Sequence, residues 1–155
     1  MDAIGRLLRT QHVPEVKLIY RPARARAPHP TISSSYDAYC VLLPHFNECM
    51  ETYESFKVLL LDRANRCKAI ATISTGGVTG TIVDPKIVFG FALRSLSCGI
   101  VLAHNHPSGQ LRASEEDIAI TRKLSNAARL LDIEVKDHLI ITRRWYFSWV
   151  DGGLL

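Results

Sequence analysis

The sequence predicts a single α/β domain, a mixed central β-sheet with helices on both faces. Three observations carry that expectation. Short runs rich in branched and apolar residues alternate along the chain with three segments of helical period, the pattern of strands and helices packed in layers. Two of the runs, 56–62 and 68–74, are joined by a short turn and return antiparallel. At 155 residues, with 47% hydrophobic and 22% charged residues and no internal repeat, the chain has the size and composition of one globular domain.

Residues 1–30 read as an N-terminal arm, and 31–155 as the folded domain. Within the arm, 15–20 alternates Val16, Leu18 and Tyr20 on one side and suggests an edge strand. Residues 21–30, RPARARAPHP, hold three prolines and suggest an extended linker. Ser33, Ser34 and Ser35 offer an N-cap for a helix starting near Tyr36, with Tyr36, Tyr39, Cys40 and Leu43 on one face. Pro44 kinks or restarts that helix, which runs out near Met50. The strand FKVLLLD, the turn 63–66 and the strand KAIATIS follow. Gly76, Gly77 and Gly80 mark a loop without the pattern of a phosphate cradle. Asp84-Pro85 reads as an N-cap followed by proline at the first helical position, with Ile87, Val88, Phe91, Ala92 and Ser95 facing inward. Residues 98–104 carry no charge before the first histidine and read as a buried strand. Ser114 opens a helix to about Leu131 that buries Ile118, Leu124, Ala128 and Leu131. A strand over 133–142, a turn at Arg143-Arg144 and a closing strand over 145–149 complete the domain.

The formal charge of +4 is localised. The arm holds Arg6, Arg9, Lys17, Arg21, Arg24 and Arg26 against Asp2 and Glu15, and the remaining 125 residues balance at 13 basic and 13 acidic groups. Contact with nucleic acid is therefore expected to be weak and to run through the arm. No apolar run approaches the roughly 20 residues of a membrane span, and the N-terminus lacks the long apolar stretch of a secretory signal. A cytoplasmic protein with no membrane partner is expected. The four cysteines show no ligand-like spacing; Cys40 and Cys98 read as small core residues, and a disulfide framework is not expected.

The chemistry centres on LAHNHPSG, residues 102–109, and on Ser114-Glu115-Glu116-Asp117. A strand alternates its side chains, so His104 and His106 point one way and Asn105 the other. Asp117 lies in the first turn of the next helix. Two imidazoles at a strand end and a carboxylate at a helix start can converge on one point. Two histidines and a carboxylate, with a fourth position left for water, form the donor set of an open catalytic zinc site. The plain alternative is a polar loop in which Asp117 serves only the helix N-terminus. His138 lies on a strand and reads as a satisfied core histidine. The letters His-Asn-His do not indicate an HNH nuclease, which spreads its residues over a hairpin and a helix.

The pattern H-x-H-P-S-G followed by S-x-x-D resembles the JAMM motif of JAB/MPN metalloproteases. The wider wording, ExFKVLLLD, GGVTGTIVDP, HNHPSG, DHLIIT and the closing GLL, resembles the bacterial RadC-type JAB domains over roughly residues 33–155. The resemblance implies a JAB/MPN-like, cytidine-deaminase-like fold. It implies His104, His106 and Asp117 as zinc ligands, and Glu54 as the general acid/base that takes a proton from the attacking water and hands it to the leaving amine. It also implies Ser114 as the serine that steadies the oxyanion of the tetrahedral intermediate. From position alone, Glu54 would be an ordinary solvated glutamate, and Ser114 an N-cap. The helix-hairpin-helix DNA-binding segment of longer RadC proteins does not appear in these residues, in keeping with weak DNA contact.

The leading expectation is thus a zinc-dependent hydrolase cleaving amide bonds in a protein or peptide. The DNA-repair label of the family implies an alternative, a nucleic-acid-associated accessory module whose metal site is structural or vestigial. Hydrolysis of a non-peptide bond is a third. Oligomeric state is left open.

Overall fold

The computed structural model describes residues 29–77 and 81–155. Most of the arm, including its expected edge strand, lies outside the described residues. The domain has the order α1 (Ser35–Leu42), β1 (Ser55–Leu61), β2 (Cys67–Thr75), α2 (Pro85–Arg94), β3 (Gly99–Asn105), α3 (Glu115–Arg129), β4 (Glu134–Ile141) and β5 (Tyr146–Ser148). The strands form one five-stranded sheet in the order β2-β1-β3-β4-β5. Only β3 and β4 pair in parallel, with α3 as the crossover between them, so the sheet is mixed.

Strand alternation sorts the core into two layers. Leu59, Leu61, Val101, Ala103, Leu139 and Ile141 face α1 with Leu42 and Phe46. Phe56, Val58, Leu60, Ile100 and Leu102 face α2 and α3 with Val88, Ala92, Leu124 and Ala128. Helices therefore cover both faces. The period-two rule also assigns the end of β3: His104 continues the α3-facing row, and Asn105 continues the α1-facing row.

The helix boundaries follow their capping residues, whereas several expected inward faces need correction. Ser34 caps α1 by accepting from the Asp37 amide. The helix stops at Leu42, and the chain tightens into a single 3-10 turn, Leu43–Phe46, because Pro44 has no N–H to continue the ladder. Ala38, Tyr39 and Leu42 are its buried residues, while Tyr36 and Cys40 are exposed. Tyr36 instead joins Tyr39, Trp145 and Tyr146 in a surface cluster of rings. Asp84 and Pro85 start α2 as expected, yet it buries Val88, Phe89 and Ala92 and leaves Ile87 and Phe91 out. In α3 the buried positions are Thr121, Leu124 and Ala128. Ile118 is half-buried, and Leu131 falls beyond the helix and is exposed. The cysteine expectation is reversed: Cys40 and Cys98 are exposed, and Cys49 and Cys67 are buried. Cys98 precedes β3 rather than opening it, and so escapes the sheet's two cover layers. All four thiols are free. No described helix is long and apolar enough to cross a membrane.

Candidate metal centre

The carboxyl end of β3 and the amino end of α3 meet at a cavity of about 730 Å³ lined by Glu54, His104, His106, Ser114 and Asp117, among others. In α/β sheets, ligands collect outside the carboxyl ends of strands. The 104/106 alternation brings both imidazoles to this end, with Nε2 atoms 3.0 Å apart. Asp117 Oδ1 stands 3.1 Å from His104 Nε2, and Oδ2 stands 3.6 Å from His106 Nε2. One ligand atom from each of these residues lies within 4.8 Å of the others.

Local sequence fixes Asp117. Ser114 and Asp117 form a reciprocal capping box. The Ser114 amide and hydroxyl both donate to Asp117 Oδ2, at 2.8 and 2.6 Å, while the Asp117 amide donates to Ser114 Oγ. The carboxylate is thereby held with Oδ1 turned toward His104. Ser114 serves as the N-cap and as the orienting partner of Asp117, and it also lines the cavity.

Glu54 sits one residue before β1. Its amide donates to Gly77 O and its carbonyl accepts from the Gly76 amide, extending the β1–β2 ladder by one pair and placing Glu54 on the cavity wall. Its charge reaches His106. Burial pushes His106 down, but its hydrogen bond to Asp117, the Gln110 carbonyl and the charges of Asp117 and Glu54 leave it above the ordinary histidine value. Burial likewise works against the Asp117 carboxylate, yet its contacts with His104 and His106 and the Ser114 hydroxyl hold it far below the ordinary range.

The donor set fits a zinc ion. Two ligands at about 2.0–2.1 Å on a tetrahedral zinc stand roughly 3.3 Å apart. The 3.0 Å between the two Nε2 atoms and the 3.1 Å from His104 Nε2 to Asp117 Oδ1 lie close to that value, and one ligand atom from each of the three residues falls within 4.8 Å of the others. The proton positions agree. His106 Nδ1 lies 2.9 Å from the Gln110 carbonyl, which can only accept, so Nδ1 carries the proton and the neutral ring presents an Nε2 lone pair. Residues 104, 106 and 117 could therefore hold the ion.

Two further groups at this end attracted less notice in the sequence. Asn105, wholly buried, donates through Nδ2 to the carbonyls of Cys49, Met50 and Tyr53 and accepts at Oδ1 from the Ser55 amide. It ties the segment leading into Glu54 to the end of β3, between His104 on the strand and His106 just past it. His138 is also wholly buried, as the sequence suggested, and it contacts the site from behind: its Nε2 is 2.9 Å from His104 Nδ1. Burial and the neighbouring His104 push it well below the ordinary histidine value, so its ring is neutral. The Asp-His pair marked His138, but nothing in the sequence linked Thr121 to it.

The family model for the RadC-like JAB domain matches residues 32–154. The chain is similar to UPF0758 proteins from Flavobacterium johnsoniae (43% identical over 123 residues, 79% of this chain and 53% of the relative) and Porphyromonas gingivalis (37% over 135 residues, 86% and 59%). It is also similar to one from Methanosarcina mazei (38% over 128 residues, 83% and 55%). It thus spans little more than half the length of these relatives. The match covers the sheet, the helices on its two faces and the His-His-Asp cluster alike, and the chain belongs to the RadC-like JAB domain family.

Proposed function

We propose that this domain is a zinc-dependent hydrolase of the JAMM type that cleaves amide bonds in a protein or peptide, with His104, His106 and Asp117 holding the metal. The convergence of these residues on one wall of a cavity that also contains a non-ligand carboxylate, Glu54, carries the reading. Bound there, zinc would supply a Lewis acid that polarises a carbonyl and lowers the pKa of water. Glu54 takes a proton from the water that attacks the amide carbon. The C–N bond breaks, and Glu54 returns the proton to the nitrogen, releasing a carboxylic acid and an amine. Ser114, whose hydroxyl rests on Asp117, lines the same cavity and supports the oxyanion as its hydrogen bond is released. The cavity's size suits an extended segment of substrate.

Zinc content and substrate class test this together. The purified protein is expected to carry about one zinc per chain, and replacement of both His104 and His106 by alanine should abolish it. Peptide, isopeptide and nucleic-acid substrates are then screened side by side. Cleavage of nucleic acid alone, or zinc unchanged in the double variant, would overturn the proposal.

The neutral balance of residues 31–155 supports a secondary proposal for the arm. DNA affinity should be weak, fall steeply with salt and vanish when residues 1–30 are deleted. Tight, salt-resistant binding by the truncated chain would instead favour the accessory-module alternative.

A further inference from the structure

Building on the reading of His104, His106 and Asp117 as metal ligands, we propose that Thr121 and His138 are positioning residues for that centre. They hold His104 in the tautomer whose Nε2 lone pair faces the metal position.

Behind His104 runs a buried chain of polar atoms. His104 Nδ1 is 2.9 Å from His138 Nε2, His138 Nδ1 is 2.6 Å from Thr121 Oγ1, and Thr121 Oγ1 is 2.5 Å from the Asp117 carbonyl oxygen one turn earlier in α3. The last atom fixes the direction of the whole chain. A carbonyl has no proton to give, so the single hydroxyl proton of Thr121 lies toward Asp117 O. Thr121 Oγ1 must then accept, which places the proton of the neutral His138 ring on Nδ1. Its Nε2 is left as a lone pair, which accepts from His104 Nδ1–H. With its proton on Nδ1, the His104 ring presents its Nε2 lone pair on the side of His106 and Asp117.

The opposite direction fails at one contact. If Thr121 donated to His138 Nδ1, two oxygens with no proton between them would face each other at 2.5 Å, at the cost of an unsatisfied buried acceptor pair. The rings are also held against rotation. Trp149 stacks on His138 at 4.3 Å between centroids and 17° between planes, and Phe56 lies nearly parallel to His104, at 6°. The Trp149 backbone amide donates a hydrogen bond to the His138 carbonyl, which holds the two residues together. The hydroxyl of α3 and the imidazole of β4 thus decide which nitrogen of a β3 side chain is free to bind.

Histidine ligands are oriented by the partner of their other nitrogen, and loss of such a partner costs about 10–100-fold in metal affinity. Nitrogen-15 shifts of histidine side chains in the metal-free full chain, under mildly alkaline conditions, read the tautomers without zinc. His138 and His104 are both expected to carry their protons on Nδ1. Thr121→Val, close in shape, removes the acceptor of His138 Nδ1–H; it should shift His138 toward the Nε2-protonated form and weaken zinc binding about 10–100-fold. Thr121→Ser restores the hydroxyl and should return both readouts toward the parent. A parent His138 protonated on Nε2, or a folded Thr121→Val variant that binds zinc as tightly as the parent, overturns the proposal. Should Thr121→Val not fold, the parent's shifts and the serine variant's zinc affinity decide. If the shifts follow expectation while the parent binds no zinc, the tautomer relay stands and the ligand reading falls.

Discussion

His104 and Asn105 are neighbours on one strand, both buried and both polar, yet the two faces of the sheet treat them differently. On the α1 face, the Asn105 amide meets three backbone carbonyls and one backbone amide, so donors face acceptors throughout. On the α3 face, His104 is held from behind by His138. In front of it stand a second imidazole nitrogen and a carboxylate, groups that can each offer a lone pair to one ion. A polar side chain whose partners complete it is structure. One whose partners can also offer lone pairs is suited to a cation. The comparison therefore separates a tie holding the chain together from a group of residues that could hold a metal ion.

Exchanging the roles of these neighbours gives the largest expected effect. Asn105→Ala removes the side-chain partner of the Met50 and Tyr53 carbonyls and of the Ser55 amide and should cost about 3 kcal/mol or more in stability, read by chemical denaturation of the metal-free protein. His104→Ala should cost less in that assay while removing zinc binding. Equal losses of stability would break the distinction.

Glu54 and Asp117 sharpen the same contrast inside the cavity. Glu54→Gln should keep zinc content and melting temperature near the parent's, while hydrolysis of an identified substrate falls by about a hundredfold. Full activity in that variant would move the acid/base role to Glu115 or Glu116, which line the same cavity. Asp117→Asn should instead weaken zinc by about tenfold or more, because a neutral amide is a poor ligand. Opposite behaviour in metal content assigns the two carboxylates directly.

The smallest expected effect is a dependence on pH. His106 is raised from 6.5, so in the metal-free protein its contribution to stability is complete below 6.5 and is lost as pH rises through the folded value. Asp117 is lowered from 3.8, so its contribution is complete above 3.8 and is lost only as pH falls through its folded value. Both operate fully between 3.8 and 6.5. The metal-free melting temperature should therefore decline by about 2–4 °C as pH rises past that window. Zinc competes with the His106 proton, so the gain in melting temperature on adding zinc should grow over the same rise. A zinc gain that shrank would be incompatible with His106 as a ligand.

How much of this was legible in advance depended on the range of the interactions. His104 and His106 are two residues apart, and Ser114 and Asp117 three, so strand alternation and one helical turn suffice to orient each pair. The capping box needs no other part of the chain. Helix starts at Ser34, Asp84 and Ser114 were readable for the same reason. The inward faces of the helices were not. Tyr36 and Cys40 have the right spacing for a buried stripe, but α1 is rotated so that Ala38, Tyr39 and Leu42 meet the sheet. A stripe records which residues share a side; the neighbour determines which side is covered.

The sequence by itself determined the α/β class, the order and approximate ends of the described elements, and a donor set of two histidines and one carboxylate. Each of these rests on residues close together in the chain. Only the tertiary structure decided that strand, helix and ladder bring His104, His106, Asp117 and Glu54 to one cavity, and that Thr121 stands behind His138. Thr121 is separated from its partner His138 by 17 residues, and Asn105 from Ser55 by 50. No periodicity spans such distances. They are set by the β1–β3–β4 register, in which His104 lies opposite Phe56 on one side and Ile140 on the other. A hydrogen bond requires atoms within about 3 Å, and that precision comes from packing both layers of the core against the sheet at once.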